Sequence, residues 1–167
     1  DYLLYQEPLG PVSGIHTQLP VLLSEYSFYD TQDVETYLAL LKETPSYFDS
    51  VIRFEQKKAA SGLFMPDYQA DSVLDTCQSF IDMGKENYLV STFDERIASL
   101  DLLPENKKDS FRKENMKLVT EEIYPAYQNL ITAIKSLKGK GTNEQGLSHF
   151  PYGKKYYEYL VRQTTGC

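Results

Sequence analysis

The chain has 167 residues, a usual length for one domain, and 41% of them are hydrophobic and 25% charged, as in an ordinary globular protein. The formal net charge of −7 argues against nucleic-acid binding, because phosphates need a basic surface. No apolar run approaches the roughly 20 residues of a membrane-spanning helix. Fourteen tyrosines without a tryptophan stand out, and tyrosine suits a surface that is partly apolar and partly hydrated.

The first 30 residues combine prolines with short apolar runs. Pro8, Pro11 and Pro20 argue against a continuous helix, because proline lacks the backbone N–H and its ring clashes with the preceding turn. We therefore expect residues 1–30 to form an irregular, extended arm with one short turn around residues 19–23.

Regular helical spacing begins after the arm. Thr31 is a suitable N-cap for a helix that runs through Lys42, since apolar residues then recur every three or four positions. Thr44 and Pro45 indicate a second helix, with the threonine as cap and proline in the first turn, which continues to Gly62.

Two further helices are predicted in the middle of the chain. Met65 and Pro66 begin the third helix, and Gly84 ends it, because glycine is favoured just after a helix. Ser91 or Thr92 caps a shorter fourth helix with apolar residues on one side.

The longest helical pattern runs from Pro104 to Gly139 and contains Pro125, so we expect a long helix with a proline kink. A glycine-rich loop follows, and a last helix starts after Gly153. No strand-like alternation of convincing length appears. The sequence therefore predicts one all-α domain over 1–167, in which the irregular arm precedes a bundle of about six helices.

The sequence contains no complete catalytic constellation. His16 and His149 are the only histidines, and neither lies in a spacing typical of zinc ligands. A nucleophile elbow, a P-loop and a dinucleotide-binding glycine motif are all absent. We expect no catalytic residue and no metal site wholly within this chain.

Near the end of the chain, residues 146–165 combine a histidine, a Pro-Tyr-Gly turn and three tyrosines. In a helix from Lys154, Tyr156 and Tyr157 lie on neighbouring strips, so the tyrosines cannot all point into one core. At least one hydroxyl must meet water, a partner or a ligand, because an unpaired buried hydroxyl costs about 1–3 kcal/mol. Tyr156, Tyr157 and His149 are therefore candidate substrate-facing residues. Aromatic packing with one exposed tyrosine is the alternative.

Several separated segments together resemble one bacterial family, domain of unknown function 885 (DUF885). They cover nearly all of the chain, and their order carries the resemblance more than any single motif does. In chain order they are GIHTQLPVLLSEY, DVETYLALLKETPSYFDSVI, the spacing Gly62-x-x-x-Pro66, the run Ile123-Tyr124-Pro125-Ala126-Tyr127, and Gly146-Leu147 leading into Pro151-x-Gly153-x-x-Tyr156-Tyr157 and Thr164-Thr165.

The resemblance implies a largely helical protein of several hundred residues, similar to gluzincin-type zinc metallopeptidases. Such proteins carry a helical His-Glu-x-x-Pro-Gly-His motif downstream of the region that this chain matches. The two histidines would bind zinc, and the glutamate would activate its water for attack on an amide. Because this motif is not in the chain, zinc is expected only with the downstream part.

On this resemblance, the chain is the non-catalytic N-terminal helical part of a metallopeptidase-like hydrolase and forms one wall of a peptide-binding cleft. Its abrupt ends fit a piece of a longer protein, which we expect to be secreted or surface-anchored. The expected partners are the missing C-terminal catalytic half and a peptide substrate. Alone, the chain should be inactive and should either expose an apolar patch or form a homodimer. The alternative is a stand-alone helical scaffold that binds a peptide or protein.

Overall fold

The computed structural model describes residues 2–166, and every regular element among them is helical. Asp1 and Cys167, at the two ends of the predicted domain 1–167, lie outside the described residues. The all-α prediction is confirmed. The α-helices are α1 (Ile15–Ser24), α2 (Thr31–Ala60), α3 (Asp67–Asp82), α4 (Tyr88–Ala98), α5 (Glu105–Leu118), α6 (Tyr124–Leu137) and α7 (Gly153–Thr165).

The N-terminal segment is more helical than the sequence predicted. A short 3₁₀ turn at Leu3–Tyr5 precedes the ten-residue helix α1, which has Pro20 in its interior. Pro20 has no N–H to donate to the carbonyl of His16, four residues earlier. The Tyr127 hydroxyl of α6 donates to that carbonyl oxygen instead, over 2.6 Å. A partner on another helix therefore satisfies the group that the proline leaves free, which the local sequence does not reveal.

Helix α2 is one helix of 30 residues, so the predicted break at Thr44-Pro45 is wrong. The buried stripe keeps its phase across the proline, because Leu41, Phe48 and Val51 all face the core. Continued burial of that stripe outweighs the roughly 3 kcal/mol that an interior proline costs. The helix also starts on a capping box between Asp30 and Asp33, so its cap lies one residue before Thr31.

Helix α3 lies where the sequence predicted it, whereas α4 begins earlier than predicted. The cap of α4 is Asn87 and not Ser91 or Thr92. Its fully buried side chain accepts from the backbone N–H of Leu89 over 2.9 Å and donates to the carbonyl of Phe80 over 3.1 Å. Asn87 therefore caps one helix and ties it to the previous one.

The predicted long, proline-interrupted helix is present as α5 and α6, joined by a π turn at Val119–Ile123. Pro125 lies in the first turn of α6, immediately after the π turn. A π turn accommodates one extra residue and interrupts the regular hydrogen-bond ladder, so the irregularity at the proline extends over five residues.

The core is centred on α6, which packs against both α2 and α3. The ring of Tyr127 lies between Phe48 of α2 and Phe80 of α3, with centroid distances of 4.9 and 4.3 Å. Among residues 2–166, no helix combines the length and the apolar character needed to cross a bilayer.

Candidate functional site

The start of α7 is fixed by a close backbone approach. A Cβ atom on Gly153 would lie 1.7 Å from the carbonyl oxygen of Leu147, so only glycine lets the helix meet the preceding 3₁₀ turn, Leu147–His149. Tyr152, just before it, has a left-handed backbone with φ of 59°. This turn sets the direction in which the tyrosines of α7 point.

One face of α7 packs against the N-terminal segment through aromatic rings. Tyr156 is only 7% exposed, and its ring centroid lies 5.4 Å from that of Tyr2 and 5.1 Å from that of Tyr5. Tyr159, one turn later, lies 5.4 Å from Tyr2. We call Tyr2, Tyr5, Tyr156 and Tyr159 the tyrosine cluster. It joins the two ends of the described chain.

A depression of about 340 Å³, here called the tyrosine pocket, opens beside this cluster. Aromatic faces and the side-chain amides of Gln6 and Gln163 share its wall, so it presents both apolar surface and hydrogen-bonding groups. No basic side chain contributes to it. It is lined by Tyr2, Leu3, Gln6, Tyr156, Tyr159, Leu160 and Gln163.

Two tyrosines of the cluster, Tyr5 and Tyr156, have hydroxyls with raised pKa values. Burial raises the pKa of Tyr156, and the charges of Glu7 and Tyr159 raise it further. Burial also raises the pKa of Tyr5, with smaller contributions from Tyr152 and Tyr2. Near neutral pH both residues therefore remain hydrogen-bond donors.

Tyr157 lies on a different side of α7 from Tyr156. It is exposed and lines a second depression, of about 380 Å³, together with Lys154 and Glu158. Successive helical residues are separated by about 100°, which explains the division. Tyr157 and Tyr159 are both exposed, as expected if the tyrosines of α7 cannot all point into one core. This exposure fits both a substrate-facing surface and aromatic packing with one exposed tyrosine.

His149 is exposed in the 3₁₀ turn before α7, with Nδ1 3.0 Å from Ser148 Oγ and 3.2 Å from the carbonyl oxygen of Gln145. It lines neither of the two depressions. The three candidates thus surround the beginning of α7 and do not converge on one point. Their role as substrate-facing residues stays a prediction.

The described residues do not fit a zinc ion. Within residues 2–166, no three His, Cys, Asp or Glu side chains come together in a way that could hold a metal. His16 is buried in α1, where burial lowers its pKa to about 4, and both of its ring nitrogens lack a hydrogen-bond partner. Within residues 2–166, no carboxylate or thiolate joins this imidazole in a group that could hold a metal.

Sequence reasoning missed the contribution of the N-terminal segment to the site. Tyr2 and Tyr5 lie three residues apart, a spacing that aligns side chains along a 3₁₀ turn, but the segment was predicted as irregular. Tyr159 follows Tyr156 by three residues on α7 and therefore shares its face. The pairing of the two segments depends on the fold, and no local pattern indicates it.

Comparison with known proteins shows where this fold occurs. The crystal structure of a candidate lipoprotein from Colwellia psychrerythraea has the same fold, with a TM-score of 0.88 and 19% sequence identity. The match covers 96% of this chain and 28% of that protein, so the chain spans little more than a quarter of its length. No curated protein matches the chain. The family of bacterial proteins of unknown function (DUF885) matches residues 3–167, and the chain belongs to this family.

Proposed function

We propose that the chain is the non-catalytic N-terminal helical part of a zinc metallopeptidase-like hydrolase, and that α7 and the N-terminal segment form one wall of its peptide-binding cleft. The tyrosine pocket is the observation that carries the proposal. Aromatic faces suit the side chains of a peptide, while hydroxyl and amide groups suit its backbone. The neutral hydroxyl of Tyr156 adds a donor for a peptide carbonyl group.

The length comparison supports a role within a longer protein. A protein with the same fold in this region is more than three times as long as the matched part, which leaves room for a second half that faces the pocket. In this proposal the catalytic zinc is bound by that second half, in keeping with the finding that no metal-binding group of side chains occurs within residues 2–166. The residues of this chain would bind and orient the peptide and take no chemical step.

Within this proposal the candidate residues have different tasks. Tyr156 is nearly buried and shapes the pocket, whereas the more exposed Tyr159 presents its ring and hydroxyl to a peptide. Tyr157 and His149 would contact the peptide only where it crosses α7 toward the second depression. The scaffold alternative uses the same surface but requires no second half.

The longer protein tests the catalytic part of the proposal. Loaded with zinc, it should cleave members of a peptide library, lose activity with a chelator and regain activity when zinc is restored. The 167-residue chain alone should cleave nothing and bind no stoichiometric zinc. A folded, zinc-loaded longer protein without chelator-sensitive cleavage would contradict the proposal. Peptide binding by the chain alone, together with that result, would favour the scaffold alternative.

Variants of the longer protein test the pocket. Tyr159→Ala and Gln163→Ala should raise KM about tenfold with little change in kcat, because they remove contacts made equally in the ground state and the transition state. Tyr68→Ala is the matched control, since Tyr68 is an exposed tyrosine of α3 outside the pocket. Unchanged KM values in both pocket variants would place the cleft elsewhere.

A further inference from the structure

A second surface, distant in sequence from α7, lies between α1 and α2. It is a groove of about 390 Å³ whose wall is almost entirely carbon. Helix α1 and the turn after it supply Leu19, Leu22, Leu23 and Tyr26, which follow the spacing i, i+3, i+4, i+7. Leu23 is buried and forms part of the floor, whereas Leu22 is 62% exposed at the rim.

Helix α2 supplies the opposite wall with the same spacing: Leu40, Glu43, Thr44 and Tyr47. Thr44 is buried, while Leu40 and Tyr47 are 44% and 47% exposed. Both walls thus present two helical turns of side chains, a length of about 11 Å. Side chains with this spacing on both walls match the ridges of a third helix.

The apolar surface extends beyond the groove. Leu22 also lines a neighbouring depression of about 310 Å³, together with Val12 and Val21, both of which are exposed. Scattered single apolar residues are normal on a protein surface, but a continuous patch marks a site of interaction. We therefore expect this patch to be buried against an apolar surface of a partner.

The charge on the groove indicates which kind of partner helix would bind there. Glu43 is the only charged residue of the groove, and within residues 2–166 its carboxylate forms no ion pair. The adjacent Lys42 does not neutralise it, because the Lys42 ammonium binds Glu114 over 2.8 Å. A partner with a cation beside its apolar stripe would pair with Glu43.

A second copy of the chain fits this surface poorly. In a two-fold contact the same patch meets itself, and among the residues that line the groove and the neighbouring depression no lysine or arginine could pair with Glu43 of the other copy. Each chain also carries a net charge of −7. Both features oppose self-association through this face.

We propose that the groove between α1 and α2 binds a basic amphipathic helix, whose apolar residues at i, i+3, i+4 and i+7 fill the groove and whose lysine or arginine pairs with Glu43. The proposal is independent of catalysis and of the tyrosine pocket. Its test needs neither zinc nor the longer protein, so its failure and that of the proposed function are distinguishable.

The test uses the 167-residue chain and two designed 14-residue helical peptides with the same leucine stripe, one carrying lysine and the other glutamate on its polar face. Fluorescence anisotropy should show the leucine–lysine peptide binding at least tenfold more tightly. Glu43→Lys should reduce this preference below threefold. Glu144→Lys makes the same change in net charge at an exposed site outside the groove and should leave the preference intact.

Apolar contacts are tested separately. The double variant Leu22→Ala, Leu40→Ala should weaken binding of the leucine–lysine peptide at least tenfold, whereas Leu102→Ala, at a fully exposed leucine elsewhere, should not. Absence of binding, or equal effects of Glu43→Lys and Glu144→Lys, would overturn the proposal. A dimer in sedimentation that the double leucine variant dissociates would also overturn it, because the occupant would then be a second copy.

Discussion

Two ionisable residues of α2, Glu55 and Lys58, lie almost entirely inside the protein. The Lys58 ammonium is 3.7 Å from Glu55 Oε1, and neither oxygen of Glu55 accepts a hydrogen bond. Burial raises the pKa of Glu55 to about 7; Lys58 opposes this rise, and Glu7 of the N-terminal segment adds to it. Folded Glu55 therefore keeps its proton at pH values where the unfolded chain has lost it.

This shift predicts how stability depends on pH. Between the ordinary value of 4.5 and about 7, the folded state binds more protons than the unfolded state, so the contribution of Glu55 to stability is lost as pH rises. Glu55→Gln removes that dependence. The free energy of unfolding of the variant, relative to the wild type, should rise by roughly 1–3 kcal/mol from about pH 5 to about pH 8.

Urea denaturation at several pH values measures this difference in the free energy of unfolding. Glu144→Gln, at an exposed site, is the control, and its difference from the wild type should not change with pH. His16 is present in both proteins, so subtracting one free energy of unfolding from the other removes its contribution. Without the subtraction it would matter, because the lowered pKa of His16 changes stability with pH in the opposite sense. A difference between Glu55→Gln and wild type that stays constant with pH would show that Glu55 does not titrate in this range.

At the level of elements, a hydrogen bond from Tyr127 connects α6 to α1 across the fold. Tyr127→Phe removes the donor to the His16 carbonyl and should lower the free energy of unfolding by about 1–3 kcal/mol. Pro20→Ala restores a backbone N–H to the same carbonyl, so the Tyr127→Phe cost should be smaller in that background. A double-mutant cycle in urea should give a coupling of at least about 0.5 kcal/mol. Tyr68→Phe, at the surface, is the control, and strict additivity would contradict this account.

The sequence predicts helix faces well and helix ends poorly. Most apolar residues spaced three or four positions apart lie on the buried sides of α2, α3 and α6, because burial decides which face points inward. Tyr47 and Tyr68 have the same spacing but are exposed. The prediction failed at both helix-interior prolines. A hydrogen bond from another helix compensates for Pro20, and a continued buried stripe compensates for Pro45.

The candidate site could likewise be predicted only in part. The face of α7 with Gly153, Tyr156 and Leu160 could be read from helical spacing, but its partner Tyr2 comes from the opposite end of the chain.

Across the whole molecule, stability is unevenly distributed. The buried apolar core includes residues from Leu9 to Leu137, and within the described chain no residue after Leu137 belongs to it. Helix α7 is held by the 3₁₀ turn at Leu147–His149 and by the tyrosine cluster. It therefore has fewer buried contacts to lose when it opens than the helices of the core.

Limited proteolysis tests this distribution. Trypsin should cut first at the exposed Lys140, Lys154 or Lys155, because opening there exposes little core surface. Mass spectrometry should then find a resistant fragment that ends near residue 140. Equally early cleavage at the exposed lysines and arginines within α2 or α5 would show that the chain opens as one unit.

The π turn at Val119–Ile123 makes the chain sensitive to length at one place. Each residue rotates a helix by about 100°, so deletion of one residue from the turn would restore an α-helix but turn α6 by that angle. Tyr127 would then leave its place between Phe48 and Phe80. A deletion in the loop at residues 140–145 changes no such angle within the core. The number of residues between the end of α5 at Leu118 and Tyr127 is therefore fixed for this fold, whatever side chains these residues carry.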